Sequence, residues 1–309
     1  MRALHADASF ASVFGTCRDE TKARQLSEAS AGTYTKVFVF DSSSQETQAA
    51  RDLELDAIVR DADLIVSAVP PLLDGLDVDP VISRYRDAIF DCACRSPSKR
   101  KCVVYLSSTS VYGDHDGAWV DESSETRPIS RKAKRRLAAE AMWMSEAAKL
   151  GSAGCSVFIL RLAGIYGPGR NIIASILSGR TFGTSEGSQD KPVSRIHVDD
   201  IVQSVLRIST APMNSHDGST VATIINVADD EPATTASVRA YAANLLQSAG
   251  FEVGTDSKSA WTSTRDATRE SKRVLNSRLC SDYSVKLKYA TFREGLAHVV
   301  QNMQRADPS

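Results

Sequence analysis

The residues with chemical potential in this chain cluster where apolar runs give way to polar turns. Val104-Tyr105-Leu106-Ser107-Ser108-Thr109-Ser110-Val111-Tyr112-Gly113-Asp114 reads as a buried strand that exits into a hydroxyl-rich turn. A serine in such a turn has a bland use, satisfying turn amides. Tyr112 and Tyr166 each fall at the end of a strand-like run, and a suitably placed phenol does general-acid work. Packing is the competing use of both rings. Arg131-Lys132-Ala133-Lys134-Arg135-Arg136 is a dense basic run that reads equally as a solvated helix face or a docking surface. His197 precedes Asp199 and Asp200 at a helix start, where carboxylates act mainly as caps. Arg195, two residues earlier, is a candidate contact for an anionic substrate.

Regular alternation of strand and helix must position these groups. Ser12–Arg18, Lys36–Asp41 and Asp63–Pro71 read as short apolar strands, the last stopped by its prolines. Asp19–Ser30 and Leu53–Arg60 read as helices, and the spacing of Val81, Ile82, Tyr85, Ala88, Ile89 and Cys92 predicts a helix over Pro80–Cys94. A strand at 102–106, a helix over about 130–150 and a strand Ser156–Arg161 follow. Continuous apolar strands alternating with helices predict a parallel sheet covered on both faces, and such sheets bind ligands at the carboxyl ends of their strands. Beyond residue 168 the texture changes to Gly/Ser-rich loops (Gly179–Gly187) and helices near 199–209, 233–249 and 291–304. The expected organisation is an α/β dinucleotide-binding domain over 1–167 and a smaller lobe over 168–309, with a strand near 222–227 returning to the main sheet.

Composition narrows the function classes. A net charge of −1 over 309 residues gives no electrostatic case for nucleic acid or for a membrane surface. No apolar run approaches the length of a bilayer span, and the first residues carry no signal-peptide hydrophobic region. The six cysteines are scattered without CxxC or His spacing, so they read as free thiols in a reducing compartment, with no metal site.

Five segments occur together in a particular order: the strand and turn around Ser108 to Gly113; Pro128 to Glu140; Arg161-Leu162-Ala163-Gly164-Ile165-Tyr166-Gly167-Pro168-Gly169-Arg170; Arg195-Ile196-His197-Val198-Asp199-Asp200; and Asn226-Val227-Ala228-Asp229-Asp230-Glu231-Pro232. On these segments the chain resembles an atypical extended short-chain dehydrogenase/reductase of the NAD-dependent epimerase/dehydratase type. The resemblance implies a Rossmann-like doubly wound parallel sheet with a small C-terminal substrate lobe. It places Ser108 where the family orients a substrate carbonyl or hydroxyl, with Thr109 beside it. Aligned on flanking Pro, Leu and Glu, Lys132 stands where the family has its acid/base tyrosine and Arg136 where it has the partner lysine. Arg136 would supply charge and ribose hydrogen bonds; Lys132 would act as a base only if desolvation lowered its pKa. Tyr112 and Tyr166 are the alternative proton donors.

The resemblance also locates a cofactor site. A basic residue after the second family strand accommodates the 2′-phosphate of NADP, whereas an acidic one pairs with the ribose of NAD. Thr16 and Arg18 favour NADP, with NAD as the alternative. Asp41, Ala68, Val69 and Pro70 fall on the adenine side. The glycine-rich loop that cradles a pyrophosphate is missing: Arg2–Phe10 reads as the end of the helix that should follow it, and Gly164–Gly169 comes too late in the chain. A central strand would be missing with it, whose four or five buried side chains contribute about 1.5–3 kcal/mol each. The expectation is an N-terminally shortened chain, with a divergent start and rearranged strands as the alternative. Two functions compete. One is an NADP-dependent oxidoreductase or epimerase acting on a small hydroxyl/carbonyl, sugar-like substrate. The other is a catalytically inactive subunit or ligand sensor of a larger assembly. A homodimer through the helices near 80–95 and 130–150, and a cytoplasmic, matrix or stromal setting, are further expectations.

Overall fold

A computed structural model of the chain describes residues 10–29, 36–41, 49–71, 79–95, 101–150, 155–178, 191–210, 222–253 and 270–306. The expected helical turns before Phe10, the serine boundary after Asp41 and the Gly179–Gly187 loop lie outside the described residues. In chain order the strands are β1 (Phe14–Cys17), β2 (Lys36–Val39), β3 (Leu64–Ser67), β4 (Lys101–Ser108), β5 (Trp119–Val120), β6 (Cys155–Leu162), β7 (Gly164–Tyr166), β8 (Pro192–Val193), β9 (Arg195–His197), β10 (Thr223–Val227), β11 (Ala233–Thr234) and β12 (Arg273–Val274). The helices are α1 (Glu20–Ala29), α2 (Ala49–Asp61), α3 (Pro80–Arg95), α4 (Arg131–Leu150), α5 (Ile172–Leu177), α6 (Val198–Thr210), α7 (Thr235–Ser248), α8 (Ser277–Asp282) and α9 (Phe292–Ala306).

The long strands form a four-stranded sheet in the order β10-β6-β4-β3, with β3–β4 and β6–β10 parallel. This is the Rossmann-like arrangement expected from alternating strands and helices, and the strand predicted near 222–227 does return to it. β1 and β2 form a separate parallel pair. Both β1 and β3 are therefore edge strands among the described residues. Burial follows: β4 and β6 are largely sealed, with Val103, Val104, Tyr105, Val157, Ile159 and Leu160 fully buried, whereas Leu64, Ile65 and Val66 of β3 are only half-buried.

The contacts divide the chain into two compact units. One comprises Met1–Tyr105, Ala138–Val157 and Pro212–Ala222; the other comprises Leu106–Leu137, Phe158–Ala211 and Thr223–Ser309. In the first unit the core centres on Trp143, which lies 5.9 Å from the Tyr105 ring and 6.0 Å from the Phe90 ring. Buried there too is the Lys101 ammonium, donating to the carbonyls of Val59, Arg60 and Ala88. Two of these acceptors belong to the last turn of α2, whose unpaired carbonyls and negative dipole end favour a cation. In the second unit Ile173, Ile176, Val238, Ala242, Leu246, Phe292, Leu296, Val299 and Val300 make the core that joins α5, α7 and α9.

Candidate functional site

In the second unit β4 ends at Ser108, which caps a single 3-10 turn over Thr109–Tyr112. Its Oγ accepts the Ser110 N–H at 3.2 Å. The turn-satisfying use of this serine is thus present, but it occupies only the acceptor side of the hydroxyl. The Ser108 O–H has no acceptor among the described residues, and the residue is half-exposed. Thr109 beside it is 9% exposed. The turn closes at Gly113, whose φ of +72° disfavours any side chain, and where a Cβ would overlap the Arg127 carbonyl.

Tyr112 is fully buried, and its hydroxyl donates to Asn226 Oδ1 at 2.7 Å. The Arg161 guanidinium lies over its ring at 4.7 Å, and Glu122 Oε1 accepts the Asn226 N–H at 2.8 Å. Burial pushes the Tyr112 pKa up against the opposing pull of Arg161 and the Asn226 bond. Tyr166 at the end of β7 is 7% exposed, with its hydroxyl 3.4 Å from the Thr291 carbonyl. Burial raises its pKa as well, helped by the negative charges of Asp229 and Asp200. Both phenols therefore hold their protons more firmly than a free tyrosine.

The basic run forms the first turns of α4. Ser130 caps it by accepting the Ala133 N–H at 3.1 Å. Arg131, Lys132 and Lys134 are exposed and Arg135 is buried. The half-buried Arg136 donates from Nη1 to the Leu106 carbonyl at 2.8 Å, which ties its charge to the end of β4. No acidic residue occupies the first turn, so these cations sit at the positive end of the helix dipole.

Arg195 turns inward: its Nη1 donates to the carbonyls of Val193 and Ala233, both at 2.8 Å. The carboxylates after His197 do more than cap their own helix. Asp200 is buried and accepts the backbone N–H groups of Lys288 at 2.5 Å and Tyr289 at 3.2 Å, and Asp199 pairs with Lys288 Nζ at 2.9 Å. The first turn of α6 therefore anchors the 288–289 segment, a long-range role that capping statistics do not reveal.

Sequence reasoning missed Glu270–Asn276. Lys272 Nζ donates to the Gly113 carbonyl at 2.7 Å and to Glu270 at 2.9 Å, inside the turn that follows Ser108. Asp114 accepts the Ser271 N–H at 2.8 Å, a bond that lowers the Asp114 pKa. The Ser271 carbonyl accepts from His115 and Gly117, Val274 N–H donates to Ser194 Oγ, and Asn276 Nδ2 donates to the Ala228 carbonyl and to Asp230. One short segment thus fastens the turn after β4, the β8–β9 connection and the loop after β10. β12 is two residues long, too short for periodicity to register.

In the first unit the expected cofactor contacts all lie at carboxyl ends of parallel strands. Thr16 and Arg18 are exposed at the end of β1, and Arg18 has no carboxylate partner among the described residues. Asp41 is half-buried just after β2; Ala68 and Pro70 are exposed and Val69 half-buried just after β3.

The Rossmann-like sheet is accompanied by a sequence match: residues 83–228 match the NAD dependent epimerase/dehydratase family. The family resemblance drawn from the sequence is borne out. Among named relatives, Protein YeeZ of Escherichia coli (strain K12) is 30% identical over 164 residues, a match covering 53% of this chain and 54% of YeeZ. The chain thus spans about half the length of that curated relative. A functionally unknown conserved protein from Silicibacter pomeroyi DSS has a similar structure, with 28% identity, a TM-score of 0.69, and coverage of 97% of this chain and 93% of that one. The UDP-glucuronic acid 4-epimerase from Bacillus cereus, solved in complex with NAD, shares the fold at 14% identity with a TM-score of 0.67, covering 97% and 93% of the two chains.

Proposed function

We propose that the chain is a nicotinamide-dinucleotide-binding oxidoreductase or epimerase, with NADP as its preferred cofactor, acting on a small hydroxyl- or carbonyl-bearing substrate of the sugar or nucleotide-sugar kind. The observation that carries this reading is Ser108, whose O–H has no acceptor among the described residues and whose Oγ is aligned by the Ser110 N–H. A hydroxyl so held donates to a substrate carbonyl, or accepts from a substrate hydroxyl, without first breaking a protein bond. The solved neighbours that carry NAD and UDP-sugars support the same class of ligand.

The residues present fit part of the dinucleotide. In the first unit Arg18 suits a 2′-phosphate, and Asp41 with Ala68, Val69 and Pro70 offers a polar and an apolar surface for adenosine. A glycine-rich turn opening a helix does not occur among the described residues, so no role is assigned to a pyrophosphate cradle. When bound, the dinucleotide supplies the hydride acceptor or donor. In the second unit Ser108 and Thr109 orient the substrate oxygen, and Arg136, held by the Leu106 carbonyl, contributes positive charge and hydrogen bonds to a ribose. Lys132 takes the tyrosine position at an exposed site, and the Tyr112 and Tyr166 hydroxyls donate to internal partners, so Ser108 is assigned the orienting of the substrate oxygen and not the removal of its proton.

A second reading follows from the same tyrosines: a fold retained as a non-catalytic subunit, docking through Arg131, Lys132 and Lys134. Fluorescence titration with NADPH and NADH separates the two. Saturable binding that favours NADPH supports the enzyme; no saturation with either overturns it in favour of the subunit. For the subunit, charge reversal on α4 should weaken assembly. A homodimer and a cytoplasmic, matrix or stromal setting belong to the first reading; no helix among the described residues is long and apolar enough to cross a membrane.

A further inference from the structure

The carboxyl of Asp229, in the loop after β10, is 1% exposed, and neither of its oxygens has a hydrogen-bond donor among the described residues. Burying a carboxylate in that state is costly, because lost hydration is only partly offset by the Arg195 charge and the nearby backbone N–H groups of Glu231 and Arg195. The cation that acts on it, Arg195, has its hydrogen bonds elsewhere. The Asp229 N–H donates to the Arg195 carbonyl at 2.6 Å, which puts the two residues side by side. The Arg195 guanidinium instead braces β8 through the Val193 carbonyl and β11 through the Ala233 carbonyl. These carbonyls belong to the two strands of a two-residue antiparallel ladder, Ala233 with Val193 and Thr234 with Pro192. Such a ladder has little pairing of its own, so the guanidinium bridge matters to it.

We propose that Asp229 and Arg195 form a proton-operated latch on the β8–β11 ladder. With Asp229 neutral, Arg195 braces the two carbonyls and the ladder is closed. With Asp229 ionised, the guanidinium turns to the carboxylate, the bridge is lost and the ladder loosens. The charged or titratable groups acting on Asp229 are Arg195 from β9, Tyr166 from β7 and Asp230 from its own loop. The Arg195 charge favours the ionised form, as do the backbone N–H groups of Glu231 and Arg195; Asp230 opposes it, and the Tyr166 phenol keeps its proton. Burial dominates and lifts the Asp229 pKa to about 8, with Arg195 opposing. Burial likewise lowers the Arg195 pKa, against the opposing charge of Asp229.

The sign of the linkage is fixed by these directions. An unfolded aspartate titrates near about 3.9, so between about pH 4 and the folded value the unfolded chain releases the proton and the folded chain keeps it. Stability falls across that window and levels above it. The latch rests on the second unit alone, whatever the chain turns over.

The test uses the full chain with carbon-13 carboxyl labelling, the Asp229 signal being assigned by its absence in Asp229→Asn. Hydrogen exchange, corrected for intrinsic rates, is followed at Val193, Ala233 and Thr234 from pH 6 to 9.5. The expected result is one carboxyl titrating near pH 8 and a loss of protection of about tenfold through the same midpoint. In Asp229→Asn that protection should be independent of pH. In Arg195→Gln the carboxyl midpoint should rise further, since the stabilising cation is gone. A carboxyl titrating below pH 5, or ladder protection that ignores the titration, overturns the latch. Where a variant fails to fold, the native chain still decides the matter: a carboxyl titrating near pH 8 together with loss of ladder protection through the same midpoint supports the latch, and the absence of either overturns it.

Discussion

On the proposed function Ser108 orients the substrate oxygen. Its Oγ is aligned by one backbone N–H and its proton has no acceptor among the described residues, so Ser108→Ala removes that donor and the cap on the Ser110 N–H without disturbing a core. Turnover of a carbonyl substrate should fall by about 10²-fold while NADPH affinity stays the same. Steady-state kinetics beside a fluorescence titration reads both. Arg18 has the opposite signature: Arg18→Ala should weaken NADPH by about tenfold or more and leave NADH untouched, because only NADPH offers a 2′-phosphate for a charge-assisted bond. Tyr112 is a stability residue on this geometry. Tyr112→Phe leaves the buried Asn226 oxygen without its donor and should cost about 1–3 kcal/mol by urea denaturation.

At the scale of elements, two contacts set where strands end. Lys101 seals the last turn of α2 from within the first unit, and Lys101→Met strips a charged donor from three buried carbonyls. A loss of about 2–4 kcal/mol is expected in thermal or urea unfolding. The Ser108 turn depends instead on Gly113, whose carbonyl is held by Lys272. The Pro80–Arg95 and Arg131–Leu150 helices and the strands that became β4, β6 and β10 were legible because each has many residues with one period. The 270–276 clamp was not, since its information lies in partners far along the chain, from Asp230 for Asn276, 46 residues away, to Gly113 for Lys272, 159 residues away. Arg195 and Asp200 are misleading for the same reason: their residue types suggest ligand binding and helix capping, while the fold gives them the backbone groups of Val193, Ala233, Lys288 and Tyr289.

For the molecule as a whole, stability should be unevenly distributed. In the first unit β1 and β3 each keep a free edge among the described residues, and β3 is only half-buried. Amides of β3 should exchange about 100-fold faster than those at the buried centres of β4 and β6, as hydrogen exchange with mass spectrometry will read. Equal protection would mean that another strand covers these edges.

The sequence by itself determined the alternation of strands and helices, the family resemblance, and the position of Ser108 at a strand end. These are local properties, written in periodicity and in motifs of a few adjacent residues. Tertiary structure decided what those residues touch. It set Tyr112 on Asn226, left the Ser108 proton without an acceptor among the described residues, turned Arg195 onto two carbonyls and buried the Asp229 carboxyl. Burial and partnership arise only when distant segments meet, so no local pattern encodes them, and they determine which side chains remain available for chemistry.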